Sequence, residues 1–291
     1  MEALRRRIEA RVMSLSGLAL GQIDYEHPEG DPGLFGPESM PWEVHSDFTS
    51  MLVGGIASLL LQMLHPLALA GVWDHSNFRQ DMLGRLRRTG QFVAGTSFAP
   101  TVSADWLIDK VRSIHLKVTG TAADGRRYAA SDPALLTWVH VAEVSCFLAG
   151  YLRYLNPQLS GAEQDRYYAE IALVAERLGA TDVPKSRQAV ADYLDAMRPQ
   201  LVCDERTREI CRILLNAPAP SRSAVPISRL FMQAGIDLLP AWTQQQLGLQ
   251  QAAWQRPLIR AGVHSLAPIL RWAVRNGASH RSRKRMGLPP R

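Results

Sequence analysis

Apolar positions recur along most of this 291-residue chain at spacings of three and four, the pattern of helices that each bury one face. Residues 1–23 read as a first amphipathic helix, with charge early and Leu15, Leu18 and Leu20 late. Residues 24–42 hold Pro28, Gly30, Pro32, Gly33, Gly36, Pro37 and Pro41, which predicts an irregular arm. Ser46 or Asp47 can cap the next helix, which continues into Met51–Trp73, twenty-three residues without a formal charge. Asp74-His75-Ser76 breaks that run, and a short helix over 78–87 should end near Thr89-Gly90. Ser103 is a suitable N-cap for a helix over 104–118, stopped by Gly120. Asp124-Gly125 predicts a turn, with a small hairpin between Val118 and Tyr128.

The second half is punctuated more sharply. Ser131-Asp132-Pro133 places Asp132 at a cap and proline at the first helical position, starting a helix to about Leu155. Ser160 with Glu163 three residues later forms a capping box for a helix through Leu178-Gly179. Further helices are expected at 186–197 and 204–214. After Pro218-Ala219-Pro220, residues 224–248 give apolar helix divided near Pro240, and 256–276 a last helix before a basic tail expected to be disordered. Strands do not alternate with helices, and no Gly-x-Gly-x-x-Gly or Walker sequence occurs. The pattern therefore predicts an all-α fold, a single multi-helix domain. Its parts are an N-terminal helix over 1–23, a main helical domain over 24–250, and a C-terminal helix with its basic tail over 251–291.

The uncharged run is long enough to span a bilayer. It also contains Gly54, Gly55, Ser58, Gln62, His65 and Pro66, and the proline should kink it. A helix apolar on all sides is equally what the centre of a large helical domain requires, so a buried core helix is expected, with peripheral membrane contact left open. Composition supports a substantial core: 46% of residues are hydrophobic and 21% charged. The net charge of +6 gathers partly at the ends, in Arg5, Arg6, Arg7 and Arg11 and in Arg281, Arg283, Lys284, Arg285 and Arg291. No nucleic-acid reading element accompanies it, so no nucleic-acid partner is expected. Cys146, Cys203 and Cys211 form no Cys-x-x-Cys pair, and Leu15–Leu20 is too short for a signal-peptide core. Both features lead us to expect a cytoplasmic protein.

Candidate chemistry begins with three histidines on apolar helix faces. Ile108, Val111, His115 and Val118 form one inward stripe, Leu136, His140, Glu143 or Val144, and Phe147 a second, and Ser58, Leu61 and His65 share a third face. A lone histidine of this kind is commonly a core residue held by a hydrogen bond. Three in one domain ask for more, because each buried imidazole must find partners or cost stability. Neutral imidazole is the usual axial ligand of haem iron, and a bound haem is the best single explanation. Zinc, the rival, has no His-Glu-x-x-His spacing here, although a zinc or non-haem iron site built from distant residues stays open. A basic cluster, Arg85, Arg87 and Arg88 with Thr89, precedes Phe92 and Phe98. It reads as a solvated helix face or as the guanidinium rim of a pocket that receives an anion such as a propionate.

A set of ordered motifs sharpens this: Leu64-His65-Pro66, Asp74-His75, Gly84-Arg85 through Arg88-Thr89, Arg112-x-x-His115, Gly125-Arg126-x-Tyr128-x-Ala130-x-Asp132-Pro133, and Trp138-x-His140. Over roughly residues 30–240 the chain resembles the bacterial MpaB-type oxygenases, which share a catalytic domain with the latex-clearing rubber oxygenases. The resemblance implies a globin-reminiscent domain, here 24–250, holding a b-type haem that cleaves carbon–carbon double bonds of isoprenoid chains with dioxygen. By motif position it implies His115 as the proximal metal ligand. Arg85 and Thr89 match the family's R-x-x-K-T stretch beside the haem, but the lysine that can close the distal iron site is Arg88 here. A guanidinium stays protonated and ligates iron poorly, so the distal position should be open or filled by water or another side chain. The glutamate that serves rubber oxygenases as base has no matched position.

The expected catalytic residues are thus Arg85, Thr89 and His65, and the expected haem contacts are Arg85, Arg88, Thr89, Arg112, His115 and His140. His140 could also simply pair with Glu143 and hold the core. The expected reaction is a haem-b-dependent oxygenation of a hydrophobic, isoprenoid-type small molecule by dioxygen. A haem-binding sensor or carrier without turnover, and a haem-free helical scaffold, are the alternatives.

Overall fold

A computed structural model describes residues 1–219 and 221–289. Pro220 of the expected linker and Arg291 of the basic tail lie outside the described residues, as does the side chain of Leu15. Among the described residues there are fourteen α-helices and one two-stranded hairpin. The fold is all-α, as the periodicity predicts.

The centre is built from α3 (Phe48–Gln62) and α7 (Pro133–Tyr154). Both are apolar nearly all round, and they meet backbone to backbone because each offers a glycine. A Cβ at Gly54 would stand 2.8 Å from the Cys146 carbonyl oxygen, and one at Gly150 would stand 2.6 Å from that of Ser50. A third glycine, Gly235 of α11 (Val225–Leu238), brings α11 against Ile56 on another face of α3. Around this core run α4 (Pro66–His75), α8 (Gly161–Leu178), α9 (Arg187–Met197), α10 (Glu205–Leu215) and α13 (Gln255–Ala273). Of these, α8 starts with the Ser160–Glu163 capping box, and α7 with Asp132 and Pro133, as expected.

The uncharged run is not one helix. It breaks at Met63–His65, and α3 and α4 meet at 103°. Among the described residues α7 alone is long and apolar enough to cross a membrane, and most of it is buried inside the fold.

Three other expectations are corrected. The helix expected to stop at Thr89-Gly90 runs on as α5 (Met82–Phe98). Gly90 marks a close approach instead, with the Gly17 nitrogen 3.6 Å from where its Cβ would be. The first helix, α1 (Glu2–Leu15), ends earlier than expected, and a 3-10 turn over Gly17–Leu20 packs its Gly17 on the backbone of Gln91. The following helix, α6 (Thr101–His115), starts two residues before the Ser103 cap. Its cap comes from the arm: the Asp31 carboxylate accepts from Thr101 N and, at 2.8 Å, from Thr101 Oγ1.

The basic tail is ordered through α14 (Ala278–Arg285). Arg285 is 2% exposed and donates to the carbonyls of Asp31, Tyr25 and Phe98 at 2.7, 2.8 and 2.9 Å. Phe98 closes α5, so a guanidinium sits at the negative end of one helix while Asp31 sits at the positive end of the next. Arm and tail thereby clamp the α5–α6 junction.

The hairpin, β1 (Thr119–Thr121) with β2 (Arg127–Ala129), is latched to α4 by two residues of the ordered motifs. Tyr128 Oη donates to Asp74 Oδ2 at 2.6 Å, and His75 Nε2 lies 3.1 Å from the Thr119 carbonyl oxygen. The same motifs thus include structural latches as well as candidate chemistry. On the far side Asp237 of α11, 0% exposed, takes Arg153, Arg256 and Arg260 at 3.1, 2.6 and 2.7 Å, joining α7, α11 and α13.

Because the α3–α7 contact leaves no room for a Cβ, Gly150→Ala should destabilise the protein by about 1–3 kcal/mol in urea unfolding. Gly55→Ala, whose Cβ would find its nearest atom at 3.9 Å, should be neutral or slightly stabilising. Equal effects at the two positions would contradict this description of the core.

Candidate functional site

The buried histidines divide by whether their nitrogens are satisfied. His45, between α2 (Met40–Val44) and α3, is fully satisfied: Nδ1 is 2.7 Å from Ser97 Oγ and Nε2 2.8 Å from Tyr167 Oη. Burial, then the nearby His140, holds it neutral with a pKa of about 3. It stitches α5 and α8 together and is a core histidine, one the sequence stripes did not single out.

His65 has one ring nitrogen engaged. It is the N-cap of α4, its Nδ1 facing Ala68 N at 3.5 Å, and its ring lies 5.8 Å from that of Trp138. Burial, with Arg126 adding to it, lowers its pKa to about 4. These neighbours put His65 at the hairpin side of the start of α7.

His115 and His140 differ. His115 closes α6, and its Nδ1 is buried without a hydrogen-bond partner. Burial lowers its pKa. His140, buried on α7, makes no hydrogen bond among the described residues, and burial lowers its pKa to about 4. It does not pair with Glu143. That carboxyl, one turn further along α7, makes neither a hydrogen bond nor an ion pair among the described residues, and burial pushes its pKa up to about 7.

Arg85 and Thr89 are one turn apart on α5 and both are partly buried. Arg85 donates to Ser76 Oγ at 3.1 Å and has no carboxylate partner among the described residues. Burial, then Arg88, lowers its pKa to about 10, so the site holds a cation that the protein leaves unneutralised. Arg85 stands thirteen residues before the end of α5 and His115 fourteen after the start of α6. Each is therefore about 20 Å of helix from the clamped junction, at the open end of the α5–α6 pair. Phe92 of α5 packs on the cluster that includes Val141 and Val144, neighbours of His140 and Glu143. Two motif residues point elsewhere: Arg112 is exposed, and Arg88 is exposed with Asp81 Oδ2 at 3.4 Å.

A metal-bearing group with an anionic edge would be held by an imidazole and a guanidinium. An orphaned imidazole nitrogen at His115 and an unpaired guanidinium at Arg85 both fit such a group. Among the described residues no three His, Cys, Asp or Glu side chains are grouped to hold a bare metal ion. A haem needs only one such side chain.

The family described as ER-bound oxygenase mpaB/B'/Rubber oxygenase, catalytic domain, matches residues 42–272, and the chain belongs to it. That family is one of oxygenases. No individual curated protein and no solved structure matches.

Sequence stripes missed Glu143 as a titrating group in its own right, because its spacing suggested only a partner for His140. Its raised pKa means that the folded state holds the proton more tightly than the unfolded chain. Stability is then greatest below the ordinary value of 4.5 and falls as pH rises toward 7. Glu143→Gln should therefore match the wild type near pH 4 and exceed it by up to about 3 kcal/mol near pH 8. A stability difference that does not change with pH would show that the carboxyl is not held protonated.

Proposed function

We propose that the chain is a haem-b-dependent oxygenase that uses dioxygen on a hydrophobic, isoprenoid-type small molecule. The observation that carries this reading is the contrast between His45, whose two nitrogens are both bonded, and His115, whose buried Nδ1 has no partner. A folded protein does not readily leave a buried imidazole unmet without a reason. Membership in an oxygenase family supplies that reason, and the cation at Arg85 supplies a second.

When bound, a haem supplies activation of dioxygen, and the polarity of the pocket around its free face decides the outcome. His115 would hold the iron. Arg85 would receive a propionate through charge-assisted hydrogen bonds, with Thr89 beside it on the same face of α5. Arg88 and Arg112, both exposed, would act at most at the rim. His140 keeps a neutral ring, and Glu143 holds a proton near neutrality that it can give up or take back at its carboxyl oxygens. Apolar packing from Phe92, Val141 and Val144 limits water and suits an apolar substrate. The three cysteines are free, in keeping with the cytoplasmic placement we propose alongside.

Protein expressed with a haem supply should show a Soret band, which His115→Ala abolishes while the fold survives by circular dichroism. Arg85→Ala should keep the band but weaken haem retention by about tenfold, the loss of one charge-assisted hydrogen bond. Oxygen uptake with isoprenoid substrates should then require His115. A colourless wild-type protein that reconstitutes no haem would overturn the proposal.

A further inference from the structure

The uncharged run over 51–73 lies mostly inside the fold, but another helix, α13, turns a long apolar stripe to solvent. Trp254 at its N-cap, Leu258 and Ile269 are 67%, 63% and 47% exposed. With Ala261, Ser265 and Trp272 they fall at intervals of three and four, along one side of the helix. No residue of this stripe is charged, and its one hydroxyl, Ser265 Oγ, donates to the Ala261 carbonyl. The arginines of α13 are on a different side, where Arg256 and Arg260 reach Asp237 and Arg271 reaches Asp47. An ordinary surface helix turns its charges outward; α13 spends its charges on buried acids and leaves tryptophan and aliphatic side chains in water. The patch continues onto α11, where Leu230 packs on Gly262 and Ile227, about one turn away, is exposed.

Charge selects what covers it. Residues 217–291 hold eleven of the thirty-three lysines and arginines but one of the twenty-seven aspartates and glutamates, Asp237, which is buried. This part of the chain therefore exposes cations and no aspartate or glutamate. Arg229 of α11 and Arg275, just past the end of α13, are exposed and make no ion pair among the described residues. The first helix is tied to the same end of α13, Arg5 donating to the Ala273 carbonyl at 2.9 Å, and it adds exposed Arg7 and Arg11. A second copy of the chain would set this cationic rim against an identical one. A bilayer with anionic headgroups matches both parts, since the headgroups meet the arginines and the acyl boundary takes the apolar stripe, with tryptophan favoured at that depth.

We propose that α13, lying flat, docks this protein on the surface of an anionic lipid bilayer through Trp254, Leu258 and Ile269, with Arg229 and Arg275 at the headgroups. The contact is separate from the site at His115 and does not depend on a haem being bound there.

Co-sedimentation of the full-length protein with vesicles tests it. Vesicles of phosphatidylcholine with about 30% phosphatidylserine should bind at least tenfold more tightly than phosphatidylcholine alone, and high salt should weaken the binding. Trp254→Ser with Leu258→Ser should weaken it at least tenfold and leave the thermal midpoint unchanged, because both side chains are already mostly in water. Arg229→Gln with Arg275→Gln should weaken it several-fold and flatten its salt dependence. Val102→Ser with Trp106→Ser, at exposed apolar positions of α6, should leave it unchanged, as should His115→Ala. The proposal fails if neither vesicle binds, if both bind equally, if the α13 variant binds like the wild type, or if the α6 variant abolishes binding. A dimer that the α13 variant dissociates, in protein that ignores vesicles, would give this face to a second copy and overturn it. Absence of a Soret band in wild-type protein would sink the haem reading and leave this one standing.

Discussion

Two helices that are apolar on nearly every side can share a core only if their backbones come close enough to exclude everything else, and Gly54 and Gly150 allow α3 and α7 to do so. The rest of the molecule follows from that contact. With α3 also gripped by Gly235 of α11, the central helices are enclosed, and the third element of the site, α7, is fixed along its whole length. His140 and Glu143 are thereby carried on a helix held inside the bundle. The uncharged segment that is long enough for a membrane is used instead as the inside of a bundle, bent sharply at His65 and Pro66.

The polar interior sorts into groups that the fold satisfies and groups that it does not. Asp237 meets three arginines, Arg285 meets three carbonyls, and His45 bonds through both nitrogens. Each of these joins elements distant in sequence, and each explains a burial that would otherwise be unfavourable. Arg85, His115, His140 and Glu143 have no such account inside the protein. They lie on α5, α6 and α7, the first two of which the arm and tail hold at their junction.

Much of the fold was legible because its signals are local. Asp132 with Pro133 and Ser160 with Glu163 announce their helices within four residues, and Asp124-Gly125 announces the hairpin. What was not legible depends on partners far away. Gly90 looks like a helix stop until Gly17 is seen packing on it, and α6 takes its cap from Asp31 in the arm rather than from Ser103. The C-terminal basic run reads as a solvated tail, whereas Arg285 is buried at the end of α5. The same division holds for the site. Helix phase places His115 and His140 on buried faces, but only tertiary contacts separate them from His65, which caps a helix, and from Arg112, which faces solvent. Motif order alone also mixes chemistry with architecture, since Asp74, His75 and Tyr128 serve to latch the hairpin.

The central claim of the proposed function is that His115, whose buried Nδ1 has no partner among the described residues, would hold the iron of a haem. The most direct measurement is an experimental structure of the protein purified with its native complement of cofactor. The account predicts a bound haem held by His115 and Arg85. A structure in which the His115 ring is bonded to protein or water, with Arg85 paired to a carboxylate and no haem bound, would contradict it.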